Sequence, residues 1–228
     1  MKLFCAEDVS AYLAQQNILT DTNNTSITQL SGGVSSSVWK IVHGDKRWVL
    51  KQALEKLLVK ADWFSDVERI HREHEVMEIL EPFLPARAVP EILHKDYINH
   101  IYMMSCAEDG ARTWKEMLMA GEMERGIAND AGYTLQCIHT HSRKISEADR
   151  QKTGSQQYFV QLRIEPFHEY LIEQHPSLQT HIQKLIGELR TKRTCLVHGD
   201  FSPKNMLVEN NHHFVLIDFE VAHWGNPV

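Results

Sequence analysis

The sequence predicts an α+β fold of two lobes, an N-terminal antiparallel sheet with one helix followed by a mainly helical lobe. Three observations predict it. Strand-like runs separated by glycine, serine and tight turns occupy the chain from about Ser26, apolar residues recur at helical spacing farther on, and no internal repeat or low-complexity tract is present. At 228 residues with 43% apolar content the chain is long enough to bury a core. The lobes are expected at 1–105 and 106–228, the boundary falling near the acidic, turn-like stretch Ala107 to Gly110.

Residues 8–16 read as a short opening helix. The runs ITQL, VWKIV and RWVLKQ then read as three strands, joined by the small-residue loop SGGVSSS and the tight turn HGDK, which makes an antiparallel meander. From Asp66 to Phe83 the spacing of Ile70, Met77 and Leu80 predicts a helix, ended by Pro82 and Pro85. Two further strands are predicted at Glu91 to Leu93 and Ile101 to Met104. Beyond them Ile127, Ala131, Leu135 and Ile138 mark an amphipathic helix, and two more helices are predicted from Gln156 to Gln174 and from Ser177 to Arg190. The C-terminal part reads as the apolar run CLV, the loop HGDFSPKN, the run MLV, a polar turn ENNHH and the run FVLIDFE.

Charge narrows the function classes. Lysine and arginine number 24 against 30 acidic residues, a formal charge of -6, so neither nucleic acid nor an anionic membrane is an expected partner. Cys5, Cys106, Cys137 and Cys195 show no CxxC spacing, which predicts neither a disulfide framework nor a zinc site but free thiols in a reducing cytosol. The start MKLFCAEDVSAYL lacks a signal-peptide apolar run and no segment reaches membrane-spanning length, so a cytoplasmic protein is expected. The histidines fall in separate contexts without an HExxH motif and read as surface or locally hydrogen-bonded residues.

The chemistry concentrates near the C-terminus. Folding MLV against FVLI in a centred register sets Asn205 opposite Asp218, so that an amide oxygen and a carboxylate converge on one point. A few oxygen ligands of this kind suit Mg²⁺. Asp200, five residues before Asn205, reaches the same cavity as a proton-accepting base for phosphoryl transfer. On the helix at 66–83, Glu73 falls within the apolar stripe while Glu68 and Glu75 point away, and a buried carboxylate needs a cation such as Lys51 at the end of the third strand. The SGGVSSS loop offers backbone amides and hydroxyls to phosphate.

Taken in order, these pieces resemble the aminoglycoside phosphotransferase and choline kinase superfamily of small-molecule kinases, relatives of the protein kinases, from roughly Thr25 onward. LVHGDFSPKNMLV and VLIDFE look like its catalytic loop and metal-binding segment, YMMSCAEDG like its hinge and AGYTLQCIHTHS like one of its C-lobe helices. The resemblance implies a protein-kinase-like two-lobed fold and transfer of the γ-phosphate of ATP, with Mg²⁺, to a hydroxyl of a small acceptor such as an aminoglycoside, amino alcohol or sugar. It further implies that Lys51 contacts the ATP phosphates, Glu73 orients it, Gly33, Ser35 and Ser36 cover the phosphates, and the backbone of Met104, Ser105 and Cys106 faces the adenine. Asp200 is then the base, His198 a support of its loop, and Asn205 and Asp218 the metal ligands.

HGD and DFE stand where protein kinases carry HRD and DFG, so protein substrates are not expected. Acidic residues near the catalytic loop suggest an amine-bearing acceptor. The chain stops ten residues after Asp218, at WGNPV, where relatives usually continue through further helices; an incomplete C-terminal lobe is therefore expected, either truncated in a fragment or minimal. The competing reading is a nucleotide-binding scaffold without turnover.

Overall fold

The computed structural model describes residues 1–19, 24–30, 33–59 and 62–227. Ser31 and Gly32, part of the expected phosphate loop, lie outside the described residues. The fold is α+β, and the chain divides into two compact units, Met1–His71 with Glu91–Cys106, and Arg72–Pro90 with Ala107–Val228. Both are discontinuous, whereas the sequence suggested one cut after residue 105.

The first unit is a five-stranded antiparallel sheet, β1 (Thr25–Gln29), β2 (Ser36–His43), β3 (Lys46–Ala53), β4 (Ile92–Asp96) and β5 (Ile101–Ser105), ordered β1-β2-β3-β5-β4. The expected tight turn is present: His43 pairs with Lys46 across Gly44 and Asp45, and Gly44 adopts φ +57°, which a two-residue hairpin favours. Helix α1 (Ala6–Gln15) opens under an N-terminal carboxylate, since Asp8 Oδ2 accepts the backbone N–H of Phe4 at 2.9 Å and of Cys5 at 3.2 Å. Its buried face, Val9, Tyr12 and Leu13, packs with Trp39, Ile41, Leu50, Ile101 and Met103 of the sheet. Full burial of one such aliphatic side chain contributes about 1.5–3 kcal/mol, so this contact rather than helix propensity holds α1 in place.

Arg69 is fully buried at the start of α2 (Arg69–Leu80). Its guanidinium donates to the carbonyls of Ser65 (3.1 Å), Asp66 (2.8 Å), Leu54 (2.8 Å) and Ser35. One side chain thus ties the end of β3, the segment before β2 and the turn into α2. The predicted apolar stripe of α2 is buried, with Ile70, Glu73, Met77 and Leu80 at 1% exposure or less, while Glu68 is exposed.

The second unit is mainly helical. After a 3₁₀ turn (Glu81–Phe83) it contains α3 (Trp114–Met119), α4 (Arg125–His141), α5 (Glu147–Thr153) and α8 (Gln179–Thr191). The helix predicted at 156–174 is present but irregular: α6 (Gln157–Phe159) runs into a π-helix (Val160–Glu169) and returns to α-helix in α7 (Tyr170–Gln174). Small sheets accompany the helices, β10 (His223–Gly225) with β7 (Cys195–Val197), and β6 (Arg112–Thr113) with β8 (Met206–Val208) and β9 (Phe214–Leu216). Arg72, 7% exposed, donates to the carbonyls of Thr153, Ser155 and Ala222 at 3.0–3.2 Å, fixing the chain between β9 and β10. Among the described residues no helix is long and apolar enough to cross a membrane.

Candidate active site

In the second unit the loop between β7 and β8 is built around a glycine and a histidine. Gly199 adopts φ +80°, and a Cβ there would lie 2.7 Å from the carbonyl oxygen of Val221, so no other residue fits the turn without displacing backbone. His198 is 1% exposed, and its ring joins two segments. Nδ1 accepts the backbone N–H of Asp200 at 3.2 Å, which leaves Nε2 as the N–H that donates to the carbonyl of Ile217 at 3.0 Å. Burial pushes the imidazole down to about 4, although the charges of Asp218 and Asp200 and the Ile217 bond act in the opposite direction. A neutral ring with one donor and one acceptor is the form these two bonds need.

Asp200 is held by its Oδ2. That oxygen accepts from Arg163 Nη2 at 2.6 Å, Lys204 Nζ at 2.8 Å and Asn205 Nδ2 at 3.0 Å. Asn205 Nδ2 also donates to the Asp200 carbonyl at 3.0 Å. The amide nitrogen therefore faces Asp200, and the amide oxygen is the atom left to meet a cation. Asp218 follows directly after the segment joined to Asn205, and it adopts φ +71°, a left-handed conformation that turns the chain out of β9. An amide oxygen and a carboxylate at one end of a hairpin are hard oxygen donors that fit Mg²⁺.

The register differs from expectation by one residue. Met206 pairs with Leu216 and Val208 with Phe214, and the N–H of Ile217 donates to the carbonyl of Asn205 at 3.0 Å, so Asn205 stands opposite Ile217 and not Asp218. The turn explains it. Glu209 N–H donates to the His213 carbonyl at 2.9 Å, closing a three-residue loop with His212 at φ +60°. A three-residue loop pairs positions that are an even number of residues apart, so it cannot set Asn205 opposite Asp218.

The other expected residues belong to α2 and to the first unit. Glu73 is buried in α2. In the first unit Lys51 is 7% exposed in β3 and pairs in register with Val38 and Tyr102. Ser35 and Ser36 are also buried: β2 begins at Ser36, and the Ser35 carbonyl accepts from Leu54 N–H at 3.0 Å as well as from Arg69. Gly33 is exposed. Met104 and Ser105 end β5, with Ser105 N–H donating to the Glu91 carbonyl at 2.9 Å and its hydroxyl accepting from Glu91 N–H at 3.0 Å; half-buried Cys106 follows.

Arg163 and Lys204 were missed by the sequence reading, which assigned acidic neighbours to the catalytic loop. Lys204 was within reach of that reading, since it stands four residues from Asp200. Arg163 was not, because only the folded chain brings residue 163 to residue 200.

A family model described as the phosphotransferase enzyme family matches residues 26–228. The chain belongs to that family. Members of known structure share its kinase-like fold at low sequence identity. The streptomycin–ATP complex of APH(2")-IIa superposes with a TM-score of 0.59 at 19% identity, over 98% of this chain and 73% of that one. The macrolide 2'-phosphotransferase MphH of Brachybacterium faecium gives 0.61 at 16%, over 96% and 74%. The choline kinase LicA of Streptococcus pneumoniae gives 0.54 at 14%, over 97% and 70%. No curated protein sequence matches the chain.

Proposed function

We propose that this family member transfers the γ-phosphate of ATP to a hydroxyl of a small-molecule acceptor, with Asp200 as the base. The observation that carries the reading is the hydrogen-bonded unit of His198, Asp200 and Asn205, joined to Ile217 beside Asp218. It supports the assignment of Asp200 as proton acceptor and of Asn205 and Asp218 as oxygen donors. The family match and the fold shared with an ATP-bound relative support the nucleotide.

Asp200 takes the proton from the acceptor hydroxyl as its oxygen attacks the γ-phosphorus, and the bond from that phosphorus to the ADP oxygen breaks. Asn205 and Asp218 would hold Mg²⁺, which when bound neutralises charge on the phosphates. Lys51 is assigned to the ATP phosphates and Glu73 to its orientation; Gly33, Ser35 and Ser36 are assigned to covering the phosphates and residues 104–106 to the adenine. The cations at Asp200 give no support to an amine-bearing acceptor, so the acceptor class is a small hydroxyl compound.

Transfer from labelled ATP to a panel of aminoglycosides, amino alcohols, sugars and nucleosides tests the reading. Asp200→Asn is expected to lower turnover by about 10²- to 10⁴-fold on the best acceptor. Equal turnover in variant and wild type would remove Asp200 as base, and ATP binding without transfer to any acceptor would favour a scaffold.

A further inference from the structure

Resting on the assignment of Asp200 as base, we infer that Arg163 is the positioning residue that orients its carboxylate, and that the π-helix exists to deliver this arginine. The guanidinium is bound on both arms: Nη1 donates to the carbonyl of Leu162 at 2.7 Å, and Nη2 donates to Asp200 Oδ2 at 2.6 Å. Arg163 and Asp200 side chains are 19% and 14% exposed, so this ion pair is more sheltered from water than the Lys204 contact, where the lysine side chain is 52% exposed. With Oδ2 engaged by Arg163, Lys204 and Asn205, Oδ1 is the oxygen that faces the acceptor proton.

The mount follows from Pro166. In an α-helix the carbonyl of Leu162 would point at the nitrogen of Pro166, which has no hydrogen and whose ring would collide with it. The helix widens into its π segment across this position, and the Leu162 carbonyl bonds the Arg163 guanidinium. The Arg163 carbonyl in turn accepts from His168 Nδ1 at 3.1 Å. Backbone and side chain of Arg163 are thus both fixed, and its planar guanidinium holds Leu162 and Asp200 on two separate nitrogens, a fixed geometry that the single ammonium nitrogen of lysine does not reproduce.

The experiment compares Arg163→Ala, Arg163→Lys and Pro166→Ala with wild type. It reads phosphate release from MgATP, with water as acceptor, alongside transfer to the acceptor panel. Arg163→Ala is expected to lower kcat by about 10²-fold with KM for ATP unchanged, as a misplaced catalytic group does. Ethylguanidinium is expected to restore turnover to Arg163→Ala and ethylammonium to leave it low; Arg163→Lys and Pro166→Ala should fall between Arg163→Ala and wild type. Unchanged kcat in Arg163→Ala, or a loss that ethylguanidinium does not relieve, overturns the inference. Thermal melts of Arg163→Ala, Asp200→Asn and the double variant read the contact independently of turnover: non-additive shifts are expected, and additive ones overturn it. If Asp200→Asn loses turnover while Arg163→Ala keeps it, only the positioning role falls. If both keep it, the assignment of the base falls as well.

Discussion

His223 shows what burial does to a single side chain in this fold. It is 3% exposed, its ring stacks on Phe159 at 4.2 Å between centroids, and Nδ1 donates to the carbonyl of Val221 at 2.8 Å. Burial pushes the ring down to about 4, against the smaller opposing effect of the Val221 bond, and Arg72 and Arg193 push it further down. The folded protein therefore holds the ring neutral at pH values where the unfolded chain, with an ordinary value near 6.5, takes up a proton. The resulting stability is fully present above about 6.5 and is lost as pH falls toward about 4, by at most about 1.4 kcal/mol per pH unit. Urea melts at pH 7 and pH 5 are expected to show a smaller pH dependence in His223→Gln than in wild type; identical dependence would mean that the ring is already charged in the fold. None of this was legible beforehand. The histidines read as surface or locally hydrogen-bonded residues, and only the packing of Phe159 against His223 reveals a buried one.

At the level of elements, the sequence was most readable where periodicity and turn chemistry agree. The β2–β3 hairpin, the buried stripe of α2 and the runs CLV and MLV fall where they were expected. Short elements were missed although their signals were present. α3 begins at a reciprocal cap in which Thr113 accepts the N–H of Glu116 at 3.1 Å and Glu116 accepts the N–H of Thr113 at 2.8 Å; α5 begins where Ser146 accepts the N–H of Asp149 at 3.1 Å. Thr-x-x-Glu and Ser-x-x-Asp could have marked both starts. The β8–β9 register was unreadable for another reason, since it depends on whether the loop holds an odd or even number of residues, and ENNHH does not say which residues pair. Arg69 was missed because a charged residue at a helix start reads as solvent-exposed. Arg69→Met leaves four carbonyl oxygens without this donor, and it is expected to destabilise the protein by about 3 kcal/mol or more. The check is a lower urea midpoint at unchanged m-value; a loss under about 1 kcal/mol would show that water or neighbouring groups replace the guanidinium.

For the whole molecule, the family and the fold class were legible from motif order; the expected cut after residue 105 lies next to the one after Cys106, and only the grouping of residues 72–90 was not read. Residues 72–90 group with the helical unit although they precede two strands of the sheet. If the proposed nucleotide site is correct, MgATP at about 100 times its Kd is expected to stabilise the folded protein by about 2.7 kcal/mol. An upward thermal shift reads this, and no shift with saturating MgATP would count against nucleotide binding. The bond from Arg72 to the carbonyl of Ala222 spans 150 positions of sequence. Contacts of that separation close late, because the chain must first surrender the entropy of a large loop. During synthesis, therefore, the turn beyond Asp218 gains this anchor only after residue 222 has emerged from the ribosome, long after Arg72 itself.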